Sequence, residues 1–253
     1  MPDFPHAFPA VAAAAAIADA DAGVVAPDDM APDDAAPATR EGQGDAAATG
    51  EPEAPAAAAA QRKRPKPGER RVQILQTLAA MLEEPGADRI TTAALAARLQ
   101  VSEAALYRHF ASKAQMFEGL IEFIEASVFS LIHQITEREG DGGAQARRIV
   151  QVLLQFGEKN PGMTRVMVGD ALVFENERLS ARMNLFFDKV ESQLRQSLRA
   201  TVEQSASQTP TLEAQGRACA LTTMVVGRLQ RYARSGFRRL PTEHLDVALA
   251  LLT

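Results

Sequence analysis

From residue 69 onward, apolar side chains return every three or four positions, the period of a helix with one buried face. The spacing predicts a first helix over 69–84, with Val72, Leu75, Leu78, Ala79 and Leu82 on one side and Pro85-Gly86 ending it. Two short helices follow near 92–99 and 102–110. A long helix over about 113–138 carries Phe117, Leu120, Ile121, Ile124, Val128, Leu131, Ile132 and Ile135 as one stripe. Gly140-Asp141-Gly142-Gly143 stops it. Further helices are predicted at about 144–159, 161–174, 177–204, 211–235 and 242–252, with breaks at Asn160-Pro161-Gly162 and Thr209-Pro210. No stretch alternates as a strand does, so the predicted fold class is all-α.

The first 61 residues break this pattern. They are rich in Ala, Pro, Asp, Glu and Gly, and 19–55 offers almost no large apolar side chain to bury, so a disordered tail is expected. The apolar run 7–17 lacks the preceding positive charge of a signal peptide. No run of about 18 apolar residues predicts a membrane span. A single cysteine, Cys219, excludes an internal disulfide and argues against a zinc cluster; its setting among Ala218, Ala220 and Leu221 predicts a small apolar packing residue. Both features fit a reducing cytoplasm.

The net charge of −5 hides a division along the chain. Residues 1–61 carry 11 acids and one base, for −10, whereas 62–113 carry ten bases and five acids, for +5. Residues 114–253 are balanced. The boundaries therefore read as an acidic tail over 1–61, a basic segment over 62–113 and a neutral helical body over 114–253. A local positive excess is the footprint of nucleic-acid binding. Arg62, Lys63, Arg64 and Lys66, kept extended by Pro65 and Pro67, suit an arm that touches phosphate.

Residues 89–113 carry the sharpest motif, a helix-turn-helix. Thr91 or Thr92 can cap a short helix, whose Leu95 and Leu99 share a face. Ala96 and Ala97 permit close crossing, and Val101 plugs the turn. Ser102 can cap the second helix, with Leu106 and Phe110 returning to the core. Glu103, Ala104, Tyr107 and Arg108 form the opposite face, suited to a major groove. Ser112 with Gln115 gives a capping-box spacing at the start of the long helix, where Lys113 can reach phosphate. In this scheme Thr91, Tyr107, His109 and Lys113 position the DNA backbone. Ser102, Ala104 and Ala105 approach base edges, and Arg70, Arg71, Thr92 and Arg108 complete the DNA-binding set.

The series Ile90-Thr91-Thr92, Leu95-Ala96, Val101-Ser102, Leu106-Tyr107-Arg108-His109-Phe110 and Ser112-Lys113 resembles the TetR family of repressors. That resemblance implies a three-helix DNA-binding head on a larger helical body, acting as a homodimer. One departure is Gln100, where the turn usually has Gly; a left-handed non-glycine residue costs about 1 kcal/mol. The helix near 211–235, with Ala218, Ala220, Leu221, Met224, Val225, Gly227 and Leu229, is the expected dimer helix.

Phe156-Gly157-Glu158-Lys159-Asn160-Pro161-Gly162-Met163-Thr164-Arg165, Phe174-Glu175, Arg178-Leu179 and 193–196 extend the resemblance to the SlmA branch of nucleoid-occlusion factors. This implies binding to palindromic chromosomal sites, with one or several dimers per site, and antagonism of the tubulin-like division protein FtsZ from a cytoplasmic, nucleoid-associated position. Phe123 lies about 120° off the long helix's stripe. Pattern alone favours packing against a neighbouring helix. The resemblance instead places Phe123, Lys159 and Asn160 on the FtsZ-binding surface. Leu131 departs from it, because a basic residue is expected there.

An enzyme reading finds little. His6, His109, His133 and His244 are scattered, without metal-ligand spacing, and no phosphate loop precedes a helix. No cofactor is expected. The competing reading is a repressor released by a small ligand, with Met163, Met167, Phe174, Met183, Phe186 and Phe187 lining its pocket.

Overall fold

The computed structural model describes residues 68–84, 89–204 and 208–253; the acidic tail, the basic arm and Pro85-Gly86 lie outside them. Among the described residues every regular element is helical. These are α1 (Glu69–Glu83), α2 (Thr92–Leu99), α3 (Glu103–Tyr107), α4 (Lys113–Arg138), α5 (Gly142–Lys159), α6 (Pro161–Met167), a 3-10 turn (Asp170–Leu172), α7 (Glu177–Gln204), α8 (Pro210–Arg234) and α9 (Leu245–Leu252).

Local chemistry sets most of the boundaries. The Thr91, Ser102 and Ser112 hydroxyls accept from the N–H groups of Ala94, Ala105 and Gln115 at 3.1, 3.3 and 3.2 Å. Each satisfies a donor that a helix start leaves open. Pro161 and Pro210 open α6 and α8, where a missing N–H costs nothing.

Several boundaries differ from the pattern. Helix α5 starts at Gly142 because Asp141 accepts from Ala144 N–H at 2.7 Å. A Cβ on Gly142 would lie 2.0 Å from Ser197 O, so this glycine serves close packing against α7 rather than a stop. The expected helix over 161–174 ends at Met167, because Gly169 turns left-handed at φ 83° and only the 3-10 turn follows. The expected helix over 102–110 is a single turn, Glu103–Tyr107.

Helix α4 runs through the centre. Its predicted stripe is buried, and so are Met116, Phe123 and Ser127 beside it. The helix is covered on more than one side: α1 packs near its start, and α5 and α7 pack along it. Leu75, Leu78, Leu95 and Leu106 of the first three helices, with Phe110 just after them, share one continuous core with Phe117, Leu153, Phe186 and Leu221. Helix α7 lies along α4, joined by Arg178–Glu118 at 2.7 Å and Arg182–Glu125 at 2.6 Å. Partial burial opposes the charge on Arg182, but Glu125 and Glu122 outweigh that and lift its pKa above the ordinary arginine value.

Helix α8 pairs with α7, and Gln215 contacts both Glu191 and Arg195. Here the sequence expectation is corrected. Ala218, Leu221, Val225 and Leu229 face this protomer's own core. Cys219 is exposed, not packed, and shares an outward side with Leu212, Gly216, Ala220 and Thr223.

Candidate nucleic-acid interface

Helix α3 is too short to hold itself, so its orientation comes from its anchors. Leu106 and Phe110 are buried in the core, while Ser102, Glu103, Ala104, Tyr107, Arg108 and His109 face solvent and Ala105 is half-buried. The turn before α3 is made by Gln100 at φ 54°, ψ 46°. Around it, Gln100 N–H donates to Ala97 O and Val101 N–H to Ala96 O, both at 3.0 Å, closing the end of α2. Thr92 donates to Glu103 Oε2 at 2.6 Å and ties the starts of α2 and α3 together.

The arginines of α1 are partly committed. Arg71 donates to His109 O at 3.1 Å, with its guanidinium 4.1 Å from the Phe110 ring centroid. Arg70 donates to Gln73 at 2.7 Å. Arg71 therefore braces the end of the exposed helix from behind.

Lys113 departs from the simple picture of a free phosphate contact. Its ammonium is ion-paired with the Glu175 carboxylate, just ahead of α7, and lies 5.7 Å from the Phe117 ring centroid. The pair is poorly exposed, with side-chain values of 26 % for Lys113 and 10 % for Glu175.

The residues expected on the second surface are buried to different degrees. Phe123 is 2 % exposed and packed in the core. Asn160 is 6 % exposed, and its amide donates to Phe156 O at 2.7 Å within the α5–α6 break. Both side chains are thus buried within this protomer. Lys159 is half-buried, and Leu131 is buried. Pattern, which favoured packing for Phe123, is the guide that matches its position. Met163, Met167, Met183 and Phe186 likewise pack into the core, and Phe186 meets Phe129 and Phe187 edge to face at 5.6 and 5.0 Å. Phe174 points outward, 68 % exposed.

Sequence reasoning missed Glu175 and Gly162. A Cβ on Gly162 would lie 2.0 Å from Ala79 O, so α1 meets the start of α6 main chain to main chain. The only signal for either was the Phe174-Glu175 and Asn160-Pro161-Gly162 resemblance.

The geometry is thus a capped helix-turn-helix presenting a polar, small-residue face, locked to a helical body. Residues 74–120 match the model of bacterial regulatory proteins, tetR family, and residues 143–253 match that of the tetracyclin repressor-like C-terminal domain of SlmA-like type. The chain is 51 % identical over 189 residues to nucleoid occlusion factor SlmA of Vibrio vulnificus, covering 74 % of this chain and 96 % of that one. It is 51 % identical over 185 residues to SlmA of Vibrio cholerae, covering 73 % and 94 %. The fold also matches the TetR-family regulator PfmR of Thermus thermophilus, with TM-score 0.55 at 22 % identity over 71 % of this chain and 96 % of that one. AibR, solved with isovaleryl coenzyme A and operator DNA, matches with TM-score 0.58 at 16 % identity, over 73 % and 98 %. On sequence and on fold alike, the chain belongs to the TetR family of DNA-binding regulators, in its SlmA branch.

Proposed function

We propose that this protein is a nucleoid-occlusion factor: bound as a dimer to palindromic chromosomal sites, it antagonises FtsZ polymerisation and keeps the division septum off the nucleoid. The observation that carries this reading is identity near one half with proteins named nucleoid occlusion factor SlmA, across almost their whole length. In this reading 62–113 reads DNA, and 114–253 dimerises and engages FtsZ in the cytoplasm.

The two α3 helices enter successive major grooves about 34–36 Å apart. Ser102, Ala104 and Ala105 approach base edges. Thr91, Thr92, Tyr107, Arg108 and His109 touch the backbone, joined by Arg70, while Arg71 braces α3. Lys113 reaches phosphate once it leaves Glu175. Two copies meet through the outward side of α8. The partner surface includes Lys159, supported from beneath by Phe123 and Asn160. The protein catalyses no reaction.

The test combines purified full-length chain, FtsZ with GTP, and a duplex carrying a binding site. Sedimented FtsZ should fall when protein and duplex are both present and change little with protein alone. FtsZ assembly indifferent to the complex, with DNA release by an acyl-coenzyme A, would establish a ligand-responsive repressor instead.

A further inference from the structure

The balanced charge of the body conceals a second basic concentration. Residues 228–239 hold five arginines and no acid, matching the +5 of the basic segment 62–113. They lie on the last two turns of α8 and the turn that follows.

That turn is built rather than loose. Gly236 and Phe237 are consecutively left-handed, at φ 63° and 60°, a conformation that an aromatic residue adopts only under constraint. Phe237 N–H donates to Tyr232 O at 3.0 Å, and the two rings meet edge to face at 5.2 Å. Ser235 Oγ accepts from the N–H groups of Arg238 and Arg239 at 3.0 and 2.9 Å.

The arginines divide into two sets. Arg228 holds the turn through Pro241 O and Glu243 O at 3.0 and 2.7 Å, and Arg238 donates to Ser235 O at 2.9 Å. Arg231, Arg234 and Arg239 are exposed, and no carboxylate pairs with them among the described residues. The carboxylate of nearby Glu158 already accepts from Thr242 at 2.6 Å. Arg165 adds a sixth guanidinium, 5.7 Å from the Phe237 ring centroid.

The patch sits at the head-ward end of the body. Tyr232 donates to Glu158 O at 3.0 Å, at the end of α5 and beside the α6 start that α1 touches. Helix α8 runs back along α7, whose first turn is tied to α4 by Arg178–Glu118.

We propose that this arginine turn is a second DNA-binding surface, taking backbone phosphates of the duplex that α3 reads. A duplex offers one negative charge per about 1.7 Å of axis. Guanidinium forks suit phosphate oxygens, and a preformed turn loses little freedom on binding. The contact adds affinity without choosing sequence. A dimer carries the surface twice.

The inference rests on DNA binding by the head and is tested separately from it. The triple variant R231Q/R234Q/R239Q is compared with the unaltered full chain on a site-bearing duplex and a random duplex of equal length, across a salt series. Thermal melting should be unchanged, because the three side chains are exposed and unpartnered. The slope of log affinity against log salt should fall by about two or more on both duplexes, with the preference between them kept. An unchanged slope overturns the proposal; if FtsZ antagonism is then lost, the patch serves an acidic protein segment instead. An unaltered chain that binds neither duplex would overturn DNA binding itself.

Discussion

Replacing Glu175 with Gln tests how Lys113 is used. On the proposed reading, in which Lys113 reaches phosphate, the ammonium cannot serve Glu175 as well, so part of the DNA-binding free energy is spent separating a sheltered ion pair. A hydrogen bond to a charged group contributes about 1.5–3 kcal/mol, whereas a fully exposed pair contributes about 0–1 kcal/mol. At 26 % and 10 % side-chain exposure, this pair falls between those limits. Removing the competing carboxylate should therefore lower the DNA dissociation constant by about 5- to 30-fold at low salt, the equivalent of about 1–2 kcal/mol. The ammonium sits on phosphate in both complexes and displaces the same counterions, so the salt slope should change little. Fluorescence anisotropy across a salt series reads both quantities. Removing any acid near DNA raises affinity somewhat, so the decisive comparison is a cycle with Lys113→Ala. The gain from Glu175→Gln should largely vanish in the Lys113→Ala background. An equal gain there, or no gain in the native background, would refute the competition.

Two further outcomes follow from particular residues. Gln100→Gly should stabilise the protein by about 0.5–1 kcal/mol, raising the melting temperature by a few degrees, because Gly accepts the left-handed turn without strain; an unchanged or lower melting temperature would show that Gln100 contributes more than its backbone. Phe123→Ala should destabilise by about 3–5 kcal/mol, as for other buried Phe truncations, and so depress DNA binding and FtsZ antagonism together near the lowered melting temperature. A variant with native melting and selective loss of FtsZ antagonism would restore Phe123 to a contact surface.

What was legible in the sequence was local. Thr91, Ser102 and Ser112 cap because each hydroxyl lies three residues from the N–H it accepts, and the α4 stripe repeats within one element. The left-handed turn could be anticipated at Gln100 because the flanking motif fixes its place. What escaped was long-range. Glu175 meets Lys113 across 62 positions, and nothing near either residue records it. Pattern alone expected Phe123 to pack on a neighbouring helix, and it is buried, but one helix's period could not show that α4 has neighbours on several sides. Gly142 looked like a stop until Ser197 supplied the surface that needed it.

The contact between Gly162 and Ala79 bears on how strictly the protein reads spacing. Where α1 meets the start of α6 the head touches the body main chain to main chain, so at that joint its tilt does not depend on rotamers that could relax to suit an imperfect operator. On the proposed reading of a dimer bound to paired half-sites, two such heads act as fixed calipers. One inserted base pair moves a half-site by about 3.4 Å and about a tenth of a turn, a displacement such a joint cannot absorb. The gap between half-sites would then become part of the recognised sequence, enforced by a glycine held between head and body.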